Sequence, residues 1–365
     1  MRIPGVPTEV LVAPDSFKGT YTALEVAEAL VRGLVASGQP AQPCPVADGG
    51  EGTLATLAPT LGLSIVTVAA SDPLGRPIEA VLGVRDGVAV VEAAAASGLG
   101  LVAVEERDPV AATTYGTGQL LAAAVAAGAR HIYLAVGGSA TTDGGSGAVR
   151  ALGEAGGLGQ AKLTILCDVR TAFEDAARVF APQKGAGLDD VKRLSERLRR
   201  QARGYATRHG RDPRGVPMTG AAGGLSGGLW AAVGAELVAG AGAVLDALGF
   251  DARMRASRAV ITGEGRLDRQ SLVGKLVSEV ATRARQAGVP CHVVVGEDAM
   301  EPFDARILDL QMIVEAGTIP EFEEAGAALG DAMRAQANGA GGLTPRRAAT
   351  GPRPAARRLR PGPGV

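Results

Sequence analysis

The sequence predicts an α/β protein in which buried strands end in polar, glycine-rich loops that lead into helices. Three observations carry that expectation. Short apolar runs at residues 10–14, 131–136, 163–167, 259–262 and 291–295 have strand length, and helically periodic stretches follow several of them. The 53 glycines show no collagen-like period and cluster at the ends of those runs. Hydrophobic residues make up 46% of 365 residues and aromatics only 3%, so a large core built from Ala, Val and Leu is expected, with length enough for two domains.

Residues 10–14 read as a buried strand, and Asp15-Ser-Phe-Lys-Gly-Thr20 as the loop after it. Thr22 and Glu25 have capping-box spacing ahead of a helix striped by Leu24, Ala27, Leu30, Val31 and Leu34. Ser16 and Lys18 thus stand between a strand end and a helix start, where open α/β sheets bind ligands. Asp15 and Ser16 would also suit a plain turn, whereas Lys18 has no turn-forming role. At the next junction Asp48 and Glu51 flank two glycines before a helix over 54–61. Two carboxylates there suit magnesium, which takes oxygen ligands; the same spacing suits a helix cap. From 65 to 92 the pattern turns to alternating runs split by Asp72-Pro-Leu-Gly-Arg-Pro77 and Arg85-Asp-Gly87, predicting antiparallel hairpins and a change of domain. Thr113, Thr114 and Thr117, ahead of a helix over 118–127, suit its cap or an oxyanion.

The richest loop follows the strand at 131–136. Gly137, Gly138, Gly144, Gly145 and Gly147 let backbone amides approach an anion, and Ser139, Thr141, Thr142 and Ser146 add hydroxyls. The helix behind it, running to Gly153, adds partial positive charge at its start. A phosphate or carboxylate site needs this combination; a flexible turn is the alternative. Asp168 ends the strand at 163–167, and Lys184 precedes Gly185. Leu188, Val191, Leu194 and Leu198 recur at helical spacing, with the charges of 192–203 mostly off that stripe as a solvated face. Residues 215–228 are glycine-dense, for close packing or a ligand, and feed an Ala-rich helix containing Trp230. Glu264, Arg266 and Asp268 follow the strand at 259–262, and a helix over 271–287 carries Gly274-Lys275. Beyond 339, Pro, Gly and Arg dominate, so 340–365 is expected to be disordered.

Charge and composition exclude several classes. Six arginines and no acid lie between residues 346 and 360, which leaves the rest near −7 against a total of −1 and argues against nucleic-acid binding. Cys44, Cys167 and Cys291 are scattered, and none is spaced with the three histidines, so reduced thiols in the cytoplasm are expected rather than disulfides or zinc. No signal peptide and no membrane span is expected. Only five of the 37 basic residues are lysine, and Lys18, Lys184 and Lys275 each touch a glycine. A compact ammonium beside open backbone suits an anion. There is no Walker-type phosphate loop, and no G-x-G-x-x-G fingerprint follows a strand in the required context, which weakens a dinucleotide reading. Acids and ammonium groups gathered on glycine loops are instead what phosphoryl transfer requires.

Six stretches, in order, resemble the type I glycerate kinase family: Ala13-Pro-Asp-Ser-Phe-Lys-Gly19, Ala47-Asp-Gly-Gly-Glu-Gly-Thr53, Ala112-Thr-Thr-Tyr-Gly-Thr-Gly118, Gly137-Gly-Ser-Ala-Thr-Thr-Asp-Gly-Gly145, Pro182-Gln-Lys-Gly-Ala186 and Ile261-Thr-Gly-Glu-Gly-Arg-Leu-Asp268. The resemblance implies a Rossmann-like parallel-sheet domain with a second α/β domain inserted and the active site in the cleft between them. The expected bounds are 1–70 with 252–339 for the first and 71–251 for the insert. It further implies a cytoplasmic, ATP-dependent, magnesium-requiring kinase of D-glycerate, 2-phosphoglycerate being the expected product. On that reading Lys18 is catalytic and, with Ser16, holds the glycerate carboxylate or the phosphate in transfer. Glu264 and Arg266 join Ser16 around the substrate. Gly137, Gly138, Ser139 and Thr141, with Lys184 and Lys275, hold the nucleotide, and Asp48 and Glu51 the metal. Asp268 is the expected base, with Asp168 as its rival. The chain departs from the family pattern in a short segment, 154–162, before the strand to Asp168, in Val169-Arg-Thr-Ala172 after it, and in its Arg-rich end. A non-catalytic hydroxy-acid sensor on the same scaffold is the alternative; a Rossmann-type dehydrogenase is a distant third.

Overall fold

The computed structural model describes residues 8–17, 19–269, 275–337 and the pair 347–348. The chain opens with β1 (Val10–Pro14), α1 (Ala23–Ala36), β2 (Ala41–Pro43) and α2 (Thr53–Leu61). All five residues of β1 are buried, as in a parallel strand covered on both faces. The Thr22 and Glu25 capping box is present at the start of α1.

The chain then leaves for a second sheet. β3 (Ser64–Ser71), β4 (Pro77–Arg85) and β5 (Val88–Glu92) form the expected antiparallel meander. Asp86 and Gly87, both at positive φ (48° and 85°), make its tight turn. Because β3 belongs to this sheet, the change of sheet comes before Ser64, several residues ahead of the expected bound at 70. After α3 (Ala94–Ser97) and α4 (Tyr115–Ala126) come β6 (His131–Ala135), α5 (Ser146–Glu154) and β7 (Lys162–Leu166). Next are α6 (Ala176–Phe180), α7 (Leu188–His209), α8 (Ala221–Val233) and β8 (Glu236–Val238). The sheet runs β3-β4-β5-β6-β7-β8, parallel from β5 onward.

α9 (Gly240–Ala247) and α10 (Phe250–Arg255) lead back to the first sheet. There β9 (Ala259–Leu267), α11 (Leu276–Ala287), β10 (Cys291–Asp298), α12 (Pro302–Ile307), β11 (Leu310–Glu315) and α13 (Ile319–Ala337) follow. β12 (Arg347–Ala348), a two-residue strand inside the segment expected to be disordered, pairs with β11. The order is β12-β11-β10-β9-β1-β2, all parallel among the described residues. The chain moves one way from β1 to β2 and the other way from β9 to β11, so the sheet has its switch point at β1/β9.

Four apolar clusters hold the layers. Val12, Leu30, Phe322 and Leu329 fill the outer face of the first sheet under α1 and α13. Leu11, Val260 and Val295 of the first sheet share one cluster with Val90 and Leu166 of the second, through α2, α9 and α11. Those helices form a middle layer that joins the two sheets. Ile132, Leu134, Leu163 and Ile165 pack the far face of the second sheet against α4, α5 and α8. A satellite cluster around Phe173, Leu194, Leu198 and Tyr205 anchors α7.

Candidate functional site

The loop after β2 crosses to the second sheet. The Val136 amide donates to the Gly49 carbonyl at 3.1 Å. A Cβ on Gly137 would lie 2.5 Å from the Gly50 Cα, so a side chain there would push the loops apart. Where they meet lies a cavity of about 300 Å³, lined among others by Asp48, Gly137, Gly138, Ser139, Asp168 and Lys184. Asp48 Oδ1 accepts the Gly50 amide at 2.9 Å. Asp168 Oδ1 and Oδ2 accept the Ala241 amide, at 3.1 and 3.3 Å, in the first turn of α9. The short segment 154–162 leaves Asp168 at a well-formed strand end.

The glycine-hydroxyl loop is held from three sides. Lys184 is buried, and its Nζ donates to Ser139 Oγ (2.9 Å) and to the Thr141 carbonyl (2.6 Å). Burial pushes this ammonium down to about 7, the Asp143 charge working against the shift. Asp143 is buried and accepts from the amides of Thr114 (2.9 Å), Gly145 (3.1 Å) and Gly147 (3.0 Å) and from the Thr114 hydroxyl. The Thr114 hydroxyl also accepts the Ala148 amide at 3.0 Å. The threonine thus completes the first turn of α5 rather than capping its own helix, and Thr117 turns to Ser97 instead. From α7, Arg197, Gln201 and Tyr205 donate in turn to the carbonyls of Thr142, Asp143 and Gly144.

That bracing changes how the loop can meet an anion. The sequence points to the start of α5, yet Asp143 and Thr114 already occupy the amides of Gly145, Gly147 and Ala148. The part of the loop that lines the cavity is its other end, from Gly137 to Ser139. Thr141 is buried outside the cavity lining and supplies its carbonyl to Lys184. In residues 215–228 close packing explains Gly220, Gly223, Gly224, Gly227 and Gly228, while Gly215 sits in open space at a positive φ. Ala222, Gly223 and Gly224 are left-handed, and a Cβ on Gly223 would fall 2.0 Å from the Thr141 carbonyl oxygen.

A second group sits at the β1/β9 switch point. β1 ends where Pro14 pairs with Gly263, but β9 continues beside β10 to Leu267, raising a two-stranded ribbon above the sheet edge. Ser16 follows β1, with its amide on Asp15 Oδ1 at 2.7 Å. Glu264, at the foot of the ribbon, pairs with Lys275 at 4.0 Å. Arg266 pairs with Glu297 at 3.1 Å and with Asp268, beyond the strand, at 3.6 Å. None of these residues lines the 300 Å³ cavity. Lys18 lies outside the described residues, as do residues 270–274 ahead of α11, so the expected helix at 271–287 is described from Leu276.

The metal pair is rearranged too. Glu51 is exposed and does not line the cavity; the carboxylates that do are Asp48 and Asp168. Nor do Asp48 and Glu51 cap α2, which starts behind left-handed Gly52. Its Leu54 amide is taken at 2.8 Å by Glu92, a half-buried carboxyl from the end of β5 whose pKa is pushed up by desolvation. Among the described residues no group of three or more His, Cys, Asp or Glu side chains could hold a metal. Asp48 and Asp168, the two carboxylates of the lining, fit a hard cation bound through one or two carboxylates and completed by substrate oxygens and water, as magnesium is. The three cysteines are free and buried, and burial pushes the Cys167 thiol up to about 12.

Lys184 carries a stability signature. Its folded value, about 7, lies below the ordinary 10.5, so between those values the unfolded chain binds more protons. The cost of burying the charge is present in full below pH 7 and is relieved as pH rises toward 10.5. We expect urea unfolding free energy to rise over this window by an amount that Lys184→Met abolishes; equal slopes in the two proteins would place the relief elsewhere.

A sequence model described as the glycerate kinase family matches residues 10–157 and 154–337. The two stretches meet where the chain is short before β7. The chain is 38% identical over 322 residues to a glycerate kinase of Halalkalibacterium halodurans, covering 79% of this chain and 85% of that one. It is 37% identical over 324 residues to the glycerate 2-kinase of Escherichia coli, with the same coverage. The crystal structure of a putative glycerate kinase 2 from Salmonella typhimurium LT2 superposes with a TM-score of 0.75 at 31% identity, covering 91% of this chain and 100% of that one. Family match, relatives and architecture agree, and the chain belongs to the glycerate kinase family.

Proposed function

We propose that the protein transfers the γ-phosphoryl group of ATP to a hydroxyl of D-glycerate, yielding 2-phosphoglycerate by in-line displacement. The observation that carries this reading is the single cavity lined by Gly137, Gly138, Ser139, Lys184, Asp48 and Asp168. Close glycine backbone and a buried ammonium stand beside two carboxylates, the mixture that phosphoryl transfer asks for. The Gly137–Ser139 end of the loop takes the nucleotide phosphates, with Lys184 fixing its shape and adding positive charge. Magnesium, held through Asp48, neutralises phosphate oxygens when bound. Asp168, steadied by the Ala241 amide, orients the attacking hydroxyl and receives its proton. This role passes from Asp268 because Asp268 lies outside the cavity lining and is engaged by Arg266. Ser16, Glu264 and Arg266 hold the glycerate at the β1/β9 switch point, with Lys275 keeping Glu264 in place. Among the described residues no helix is long and apolar enough to cross a membrane.

A coupled assay tests the activity. ADP should appear only when D-glycerate and magnesium-ATP are both present. Glycerate binding without any ADP release would instead favour a sensor. Proton-coupled phosphorus NMR then reads the position. Phosphate on carbon 2 couples to one proton and gives a doublet, whereas a triplet would assign 3-phosphoglycerate.

A further inference from the structure

The two faces of the second sheet are filled unequally. One packs under α4, α5 and α8. The other carries His131, Tyr133, Thr164 and Glu236 and is covered by α2 and α9 only in part. Between that face and those helices lies a cavity of about 600 Å³, twice the size of the one at the glycine loop. Pockets of this size at the join between two layers are where small ligands commonly bind.

Its chemistry differs from that of the first cavity. The walls are apolar, with Leu57 and Leu61 from α2 and Val244 from α9. On the sheet side the rings of His131 and Tyr133 stack, 4.4 Å between centroids and 18° from parallel. His131 Nε2 and Thr164 Oγ1 satisfy each other at 2.9 Å. The charged groups in the lining are acidic: Asp246, already paired with Arg283, and Glu236, exposed at the rim and with no ion pair among the described residues. No lysine or arginine lines this cavity among the described residues. Burial and the Lys162 charge push the His131 imidazole down, Glu236 working against them. Glycerate, phosphoglycerate and ATP are all anions, and among the described residues no cation lines this cavity; Lys162, paired with His131 in the sheet, is exposed and outside the lining.

We propose that this cavity is a second ligand site, for an apolar aromatic amine whose ring lies on the His131–Tyr133 platform and whose ammonium faces Glu236. Its position couples it to the first cavity. α2 issues directly from the Asp48–Gly52 loop, and the first turn of α9 is held by Asp168. A molecule wedged against Leu57, Leu61 and Val244 therefore bears on both helices that fix the carboxylates of the first cavity. Coupling of this kind works equally in both directions.

Calorimetric titration of the full chain with tryptamine, and with indole-3-acetate as the oppositely charged probe of the same ring, tests the site without reading turnover. Tryptamine should bind at least about tenfold more tightly than indole-3-acetate, because a like charge at the rim opposes the latter. Glu236→Gln, at an exposed position, should weaken tryptamine about threefold or more and strengthen indole-3-acetate, closing the gap between the two probes. Amide exchange in α2 and α9 should slow when tryptamine is bound. Equal binding of the two probes, no heat at millimolar tryptamine, no response to Glu236→Gln, or protection confined to other elements would each overturn the proposal.

Discussion

Replacing Asp168 by asparagine is expected to lower kcat by about 10²-fold or more, the range associated with a positioned proton acceptor, with a much smaller change in the KM for ATP. The substitution is nearly isosteric. The asparagine carbonyl can still accept the Ala241 amide, so the start of α9 stays capped and the fold should hold. What is lost is the negative charge that takes the hydroxyl proton. Asp268→Asn is the paired control. Asp268 sits past the end of the β9 ribbon and shares an exposed arginine, so its loss should change kcat by less than about tenfold. If Asp268→Asn is the variant that falls 10²-fold and Asp168→Asn stays within a few-fold of wild type, the base is on the ribbon.

The second large effect is on stability. Asp143→Ala should cost about 3–5 kcal/mol, read as a lower urea midpoint, because a buried group loses its charged partner. Asp143 gathers the amides of Thr114, Gly145 and Gly147 with the Thr114 hydroxyl, from two segments some thirty residues apart, and alanine leaves all four donors without it. Asp143→Asn, which keeps an acceptor but adds donors of its own, should fall between alanine and wild type. A midpoint unchanged in Asp143→Ala would mean that water or another side chain can replace the carboxylate.

These two aspartates show what the sequence could and could not reveal. Strand runs, the Thr22 and Glu25 box and the Asp86-Gly87 turn are local signals, and the corresponding elements are present. Asp168 was visible because an apolar run ends at it. Asp143 has the look of one more polar loop residue, since the partner that makes it a brace between segments, Thr114, is 29 residues away. At the start of α5 the capture of the Gly145 and Gly147 amides by Asp143 is a local contact, whereas the capture of the Ala148 amide by Thr114, from 34 residues away, has no local sign. Arg197, Gln201 and Tyr205 did leave a trace, a spacing of four beside Leu194 and Leu198, but the many charges nearby made that face of α7 read as solvated. Glu51 and Asp48 are close in sequence, yet the Gly52 turn leaves Glu51 exposed while Asp48 lines the cavity.

The way the first sheet is split along the chain bears on how the protein is made. Val10 lies between Ala41 and Ala259, so a nascent β1 can meet β2 early but waits for β9 until the ribosome has translated the whole intervening sheet, roughly 10–50 s at ordinary elongation rates. The strands from Ser64 to Val238 are contiguous and can assemble during that interval. The first forty residues, with their apolar β1 and α1, emerge early and stay without the rest of their sheet longest, which makes them the part most in need of a chaperone.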